Sequence, residues 1–254
     1  MKKITTKLPV GRIVEIKELP DGAFEVVQEV TEEVVSENKF VSEDNFILIE
    51  AESLSLNDAF MKHKPCTKVE EIAKKLITDA IKAGVKNFYR PIMDPSFAED
   101  GIKFVAGEMP AVGKSYNWWV DTAKKYEPSH NSRLGTRLEY RAFLGVLIKK
   151  LVEEGKPVEW AWNAVCMDSK ELGHYWNSED AKHDFEPTGS RLICGFYDLA
   201  NTCKILSGDV HVGGYWLASG YHYICGDDNP LADLYFSHAC SSANNNSVGW
   251  IVLS

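Results

Sequence analysis

The C-terminal segment Gly213–Ser254 constrains the fold more than any other stretch, because it alternates residues that must be buried with residues that cannot supply a core. Three short apolar pieces, Tyr215–Ala218, Leu231–Phe236 and Val248–Leu253, read as strands. Between them lie two runs, Tyr221–Asn229 and Ser237–Asn246, that mix Tyr, His, Ser, Cys, Asp and Asn without any period. The strands are expected to form a scaffold and the runs to lie on its surface. Alternation within Asp233–Ser237 sets Leu234 and Phe236 on one face and Asp233, Tyr235 and Ser237 on the other, so Tyr235 joins the exposed set. Val248–Leu253 is apolar throughout except for Gly249, the pattern of a strand buried between neighbours.

The nineteen positions of the two runs contain no Lys, Gln, Glu, Met or Trp, although those residues make up about a fifth of the chain and about four of them are expected there. Every residue type present can be reached from the Asn codon AAC by changing its adenines, and Asn244, Asn245 and Asn246 then read as unaltered codons. Polar loops favour Asn, Ser and Asp for conformational reasons alone, so the composition of the runs leaves both readings open.

At 254 residues and 44% hydrophobic content, the chain has enough apolar material for one large domain, or for a domain with a smaller partner. Its net charge of −9 is spread and not blocked, which argues against free nucleic acid and anionic membrane surfaces as partners. The basic start of the chain is not followed by an apolar run, and no stretch approaches the roughly 18 apolar residues of a membrane span. Neither membrane insertion nor a secretory signal is expected. Six cysteines, Cys66, Cys166, Cys194, Cys203, Cys225 and Cys240, are too few for a disulfide scaffold at this length, and no Cys-x-x-Cys or Cys/His ligand spacing is read among them. They are expected to be reduced, inert thiols.

In chain order, Lys7–Ile49 clusters β-formers around turn signals: Gly11–Ile16, the turn Pro20-Asp21-Gly22, Phe24–Val35, then Phe46–Ile49. The Glu-rich stretch Glu29–Glu37 reads as a solvated strand face. Thr67-Lys68-Val69-Glu70 is a capping-box pattern, followed by Val69, Ile72, Ala73, Leu76, Ile77, Ala80 and Ile81 at helical spacing up to Gly84. Val85–Met93 reads as an extended strand and Asp94–Gly101 as a loop. A second helix is predicted over Tyr116–Tyr126 with Ser115 as N-cap and Pro128 as its stop. The third and best specified opens with the capping box Thr136-Arg137-Leu138-Glu139 and carries Tyr140, Phe143, Leu144, Leu147, Ile148 and Leu151 to Gly155. Beyond it, Val158–Thr188 holds Trp160, Trp162, His174, Tyr175, Trp176 and His183, read as an insertion that packs aromatics on the core.

The Trp-bearing second helix, the segment Ser132-Arg133-Leu134-Gly135-Thr136 and Glu139-Tyr140 together resemble the "W…A…RLPTEAEWE" signature of the formylglycine-generating-enzyme type of C-type lectin fold, with Gly135 in place of the usual Pro. Gly195-Phe196-Tyr197-Asp198-Leu199-Ala200-Asn201 resembles that family's "GLYDMSGNV" segment, and Gly249-Trp250-Ile251-Val252-Leu253 its closing "GFR" strand. The resemblance spans about Gly113–Ser254. With the two runs added, it extends to the variable proteins of diversity-generating retroelements, of the phage major-tropism-determinant type. It implies an α+β, C-type lectin-like fold with a small β-rich N-terminal unit. Residues 1–110 then form that unit plus a helix, for attachment or assembly, and residues 111–254 the ligand-binding domain, with a variable region over about 213–254.

The same fold also includes oxidases that make formylglycine with a close pair of cysteines, and iron enzymes with a His/His/Glu set. Cys225 and Cys240 are the only candidate thiol pair, and they sit in no motif that matches an oxidase. No helical His pair with a Glu is present, and Asp227-Asp228-Asn229 lacks the Trp-Asn-Asp and Glu-Pro-Asn signatures of calcium lectins. No catalytic residue, cofactor or metal is assigned, and no Gly-x-Ser-x-Gly elbow, phosphate loop or dinucleotide fingerprint occurs.

Binding is therefore the expected activity, on a surface whose Tyr, Ser and Asn content resembles an antibody paratope. Its anchors are Tyr221, His222, Tyr223, Tyr235 and His238, surrounded by Ile224, Cys225, Asp227, Asp228, Asn229, Ser237, Cys240, Ser241, Asn244, Asn245 and Asn246. The resemblance implies a protein or glycan receptor on a bacterial cell surface as ligand, and a phage tail or other assembly as partner through the N-terminal unit. It implies a place in the virion or the bacterial cytoplasm, and a homo-oligomer such as a trimer is compatible with it. An oxidase of the formylglycine-generating type is the alternative. Alkylation in denaturant without reductant, read by mass spectrometry, is expected to modify all six cysteines, and a protected pair would contradict the reduced state.

Overall fold

A computed structural model of the chain describes residues 45–166, 194–197, 205–209 and 248–254 with their side chains, and the backbone alone of residues 3–7, 13–18, 24–30, 204, 210–211, 214–219, 238–239 and 247. By packing, the chain divides into two units, Met1–Asp44 and Asn45–Ser254. The first contains an antiparallel sheet of β1 (Lys3–Lys7), β2 (Ile13–Glu18) and β3 (Phe24–Val30), in that order. Lys3 lies opposite Lys17 and Ile13 opposite Val30. The β2–β3 connection carries Pro20-Asp21-Gly22, residues whose backbone preferences suit a reversal. The rest of Glu29–Glu37 lies outside the described residues.

In the second unit, β4 (Phe46–Ile49) pairs antiparallel with β5 (Phe88–Pro91). The sequence groups Phe46–Ile49 with the N-terminal β-formers, but its partner is a strand forty residues downstream, a non-local pairing that local pattern does not carry. Helix α1 (Lys68–Ala83) lies between the two strands in sequence. Both halves of its capping box form, with the Glu70 amide donating to Thr67 Oγ1 at 3.1 Å, and Gly84 closes the helix at φ 66°, a left-handed conformation that glycine adopts without penalty. Ala73, Leu76, Ile77 and Ala80 are buried, whereas Ile72 is exposed, so the apolar stripe is narrower than the spacing suggests.

Asp94–Gly101, expected as a loop, contributes instead to a hairpin of β6 (Ser96–Ala98) and β7 (Gly101–Lys103). The strands are too short to show a period. Helix α2 (Tyr116–Tyr126) follows, with Ser115 Oγ accepting from the Trp118 amide at 3.2 Å and Tyr116, Trp119 and Ala123 buried. After β8 (Arg133–Leu134), the second complete capping box, Thr136 with Glu139, opens helix α3 (Arg137–Glu153). This helix is buried on nearly every side, including Ala142 and Val146 outside the expected stripe, because α1 and α4 (Val158–Cys166) both pack against it. A Cβ on Gly145 would stand 2.9 Å from Ile77 Cγ2, so glycine is what lets α1 and α3 approach. Trp162 on α4 is buried and donates its indole N–H to the Phe60 carbonyl at 3.0 Å, which is the core packing expected of the aromatic insertion. Its other aromatics after Cys166 lie outside the described residues.

The remaining strands are β9 (Lys204–His211), β10 (Gly214–Ser219), β11 (His238–Ala239), β12 (Ser247–Gly249) and β13 (Ile251–Val252). The first four form a sheet of order β11-β10-β9-β12, antiparallel except for the parallel β12–β9 pair. The C-terminal run, expected as one buried strand, changes partner twice. Val248 and Gly249 pair with Ile205 and Leu206, Ile251 and Val252 pair with Leu134 and Arg133, and Leu253 exchanges backbone hydrogen bonds of 2.9 and 3.0 Å with Tyr89. At the first switch the Trp250 amide donates to the Leu206 carbonyl (3.2 Å), while the Trp250 carbonyl accepts from the Gly135 amide (2.7 Å).

The described residues of Asn45–Ser254 thus form an α+β unit with helices and several small sheets. Trp250, flanked edge-to-face by Phe88 (5.8 Å) and Tyr140 (5.2 Å), sits where these pieces converge, and a Cβ on Gly135 would stand 2.5 Å from its ring. Trp250→Ala is expected to destabilise the fold by about 3–5 kcal/mol and Gly135→Ala by about 1–3 kcal/mol in urea unfolding. Losses under about 1 kcal/mol in both would contradict this packing.

Candidate functional site

Side-chain and backbone bonds from β8 and β9 converge on the start of helix α3. Arg133 forms a bidentate pair with Glu139, its two terminal nitrogens donating to the two carboxylate oxygens at 2.9 and 2.6 Å. Glu139 also accepts from the Thr136 amide at 2.7 Å. On the sheet side, the Asp209 carboxylate accepts from the Arg137 amide at 2.7 Å, so two carboxylates satisfy the first free amides of α3 and face the positive end of its dipole. The Gly208 amide donates to the Gly135 carbonyl at 2.8 Å, and a Cβ on Gly208 would stand 2.8 Å from the Leu134 carbonyl oxygen. Close backbone approach is the reason for glycine there.

The Gly195-Phe196-Tyr197 segment docks on the same helix. Gly195 turns at φ 85°, the Tyr197 amide donates to the Ile92 carbonyl at 2.7 Å, and Phe196 packs edge-to-face on Phe143 at 5.5 Å. The Arg90 guanidinium is enclosed between them, 4.3 Å from the Phe143 ring centre and 4.9 Å from that of Phe196. Burial pushes the Arg90 pKa down, with Asp94 opposing the shift, and stacking on two ring faces offers the cation part of what water would supply.

The first irregular run falls between two strands of the β11-β10-β9-β12 sheet, and the second spans β11 and the stretch that follows it. Tyr221–Asn229, Tyr235 and Ser237 fall in the connection from β10 to β11, and Cys240–Asn246 makes up the whole connection from β11 to β12. Each connection starts and ends on a paired backbone: Ser219 opposite Ile205, His238 opposite Trp216, Ala239 opposite Tyr215 and Ser247 opposite Lys204. His238 and Ala239, expected as part of an irregular run, are strand residues. Every other residue named as a candidate contact lies outside the described residues, as do the expected strand Leu231–Phe236 and Cys225 and Cys240.

A groove of about 600 Å3 lies between the β6–β7 hairpin and α2. The exposed Phe97 ring meets Trp118 edge-to-face at 6.1 Å, and Lys114 Nζ stands 5.2 and 5.4 Å from the two ring centres. Asp121, Lys125 and Thr122 complete a polar rim. The sequence gives little warning of this surface, since Asp94–Gly101 carries no period, but Trp118 stands off the buried stripe of its helix. The described residues also bring together His63, Cys66 and Glu70, which corrects the expectation that no Cys/His ligand spacing occurs. Cys166 and Cys194 are buried, and burial pushes both thiols up, that of Cys194 to about 12, which leaves them protonated and unreactive. Among the described residues no helix is long and apolar enough to cross a membrane. Comparison with protein-family models, curated proteins and solved structures found no match to this chain.

The Arg133–Glu139 pair gives the framework a pH dependence. Burial alone raises the Glu139 carboxyl, but hydrogen bonds from Arg133 and the Thr136 amide outweigh it and hold the carboxyl below its ordinary value of 4.5. The stability it adds is therefore fully present above about pH 4.5 and is lost as pH falls through the lowered folded value. Glu139→Gln is expected to cost about 1–3 kcal/mol at neutral pH and to flatten this acid limb in urea titrations; an unchanged acid limb would contradict the assignment.

Proposed function

We propose that this chain is a ligand- or receptor-binding protein that presents a retroelement-diversified surface on a C-type lectin-like fold of the formylglycine-generating-enzyme type, as a phage tail-tip tropism protein does. The observation that carries the proposal is the position of the two compositionally restricted runs: apart from His238 and Ala239 of β11, their residues fall in the stretches 220–237 and 240–246, which are bounded on both sides by paired strands of one sheet. A connection anchored in this way can change residues without changing the core. The restriction to residues reachable from AAC by adenine changes gives such variation a source.

Support for the fold assignment comes from the convergence of the three segments that resemble the family. Arg133 to Tyr140, Gly195 to Tyr197 and Gly249 to Leu253 meet around α3, through Trp250 on Tyr140 and Phe196 on Phe143. The ligand class follows from the residues of the runs: Tyr side chains as rigid amphipathic anchors, with Ser, Asn and Asp as adaptable polar neighbours. A protein or a glycan on a bacterial surface suits that chemistry.

Replacing Tyr221, Tyr223, Tyr235 and His238 together by Ser is expected to change stability by no more than about 2 kcal/mol, at about 0.5 kcal/mol each. The same change should weaken binding to host cells by at least roughly thirtyfold, since losing central aromatic anchors costs about 2 kcal/mol or more. In the gene's neighbourhood, a reverse transcriptase and a template repeat differing from this coding sequence only at adenines are expected. Unfolding of the fourfold variant, or binding left intact while Cys225→Ser or Cys240→Ser abolishes an oxidase activity, would overturn the proposal in favour of the enzyme.

A further inference from the structure

His63, Cys66 and Glu70 stand at and just before the first turn of α1, and their ligand atoms all lie within 4.8 Å of one another. His63 Nε2 is shielded from solvent and has no hydrogen-bond partner, an unmet bonding position of the kind that folded proteins rarely leave open. Glu70 is buried, and its Oε2 accepts from the Cys66 and Thr67 amides, which orients the carboxylate and leaves Oε1 available. Cys66 is exposed, so its thiol can rotate toward the other two.

Helix capping alone does not account for this arrangement. A capping box needs only the Thr and the Glu, and the box that opens α3 works with Ser132 and Gly135 where α1 has His63 and Cys66. The extra imidazole and thiol are superfluous to the cap. They are, with a carboxylate, the donors that suit a borderline transition metal and not magnesium or calcium.

We propose that His63, Cys66 and Glu70 hold one zinc ion, tying the chain before α1 to the helix's first turn. The proposal is independent of the reading of the C-terminal runs. Zinc takes nitrogen and oxygen at about 2.0–2.1 Å and sulfur at about 2.3 Å, so tetrahedral ligands sit about 3.3–3.8 Å apart, and the exposed Cys66 side chain is free to rotate as the three groups close from within 4.8 Å. Three protein ligands leave a fourth position for water. Carboxylate and thiolate balance the dication against the helix dipole and against Lys74, whose Nζ donates to the His63 carbonyl at 2.6 Å. The Glu70 hydrogen bonds act as the outer support that metal ligands ordinarily need.

Cobalt(II) titration of the full-length chain tests the site. One equivalent should produce visible bands of tetrahedral cobalt together with a near-ultraviolet thiolate-to-cobalt charge-transfer band, and zinc should displace both. Cys66→Ser should abolish the charge-transfer band, and His63→Ala should weaken cobalt binding at least tenfold, because even changes outside the ligand sphere cost about 10–100-fold. Cys225→Ser and Cys240→Ser should leave the band in place, and circular dichroism should show native helix content in every variant. Zinc should raise the melting temperature of the wild-type chain and not that of the doubly substituted His63→Ala, Cys66→Ser chain. Absence of the band in the folded wild-type chain, or its persistence in Cys66→Ser, overturns the proposal.

Discussion

The fold of Asn45–Ser254 depends on one buried segment satisfying three partners in turn. Between Val248 and Leu253 the backbone leaves β9, joins β8 and reaches Tyr89 of β5, and every residue along it is buried. A buried backbone without partners is costly, so each switch must hand its amides and carbonyls to the next strand. Trp250 is where the first handover occurs, with its amide on Leu206 and its carbonyl on Gly135. Gly135 and Gly249 make the geometry feasible, since a side chain at either would drive into Trp250 or Trp119. Sheets of two to four strands are weak alone, and threading one segment through several of them gives them a shared core.

The proposed function requires that arrangement to separate stability from variation. The aromatic contacts around Tyr140, Phe143, Phe196 and Trp250, the stacked Arg90 and the Arg133–Glu139 pair all lie on the framework side. The stretches 220–237 and 240–246 start and end on strand residues that are already held in register. Loops of this kind lengthen or change with small entropic cost, because closure entropy grows only slowly with length. The proposed function requires the Tyr, Ser, Asn and Asp residues of the two runs to differ between copies without altering what folds.

The helices were legible in the sequence because their signals are local. Thr67 to Glu70, Gly84, Ser115 and Thr136 to Glu139 all act within one helical turn, and all four ends formed as their residue types require. Pairings were less legible, because β4 with β5 and β13 with β8 join positions far apart along the chain. Residues 94–103 hide a hairpin whose strands are only three residues long, too short for alternation to register. His63 and Cys66 do not stand out as a ligand pair in the sequence because a capping box already explains Glu70. The exposed aromatic wall of Phe97 and Trp118 arises only when the hairpin lies against α2. His238 within a strand is a similar case, since its partner Trp216 is twenty-two residues away.

The most direct test of this separation is a library in which positions 221–229 and 240–246 are encoded by codons with their first two bases randomised and the third held as C. Clones are sorted for protease resistance and sequenced. Most clones should resist proteolysis as the parent does, with little preference for any residue at the varied positions, because substitutions outside the core usually shift stability by only about 0.5 kcal/mol. Recovery confined to the parental residues would contradict it, for the runs would then be part of the fold.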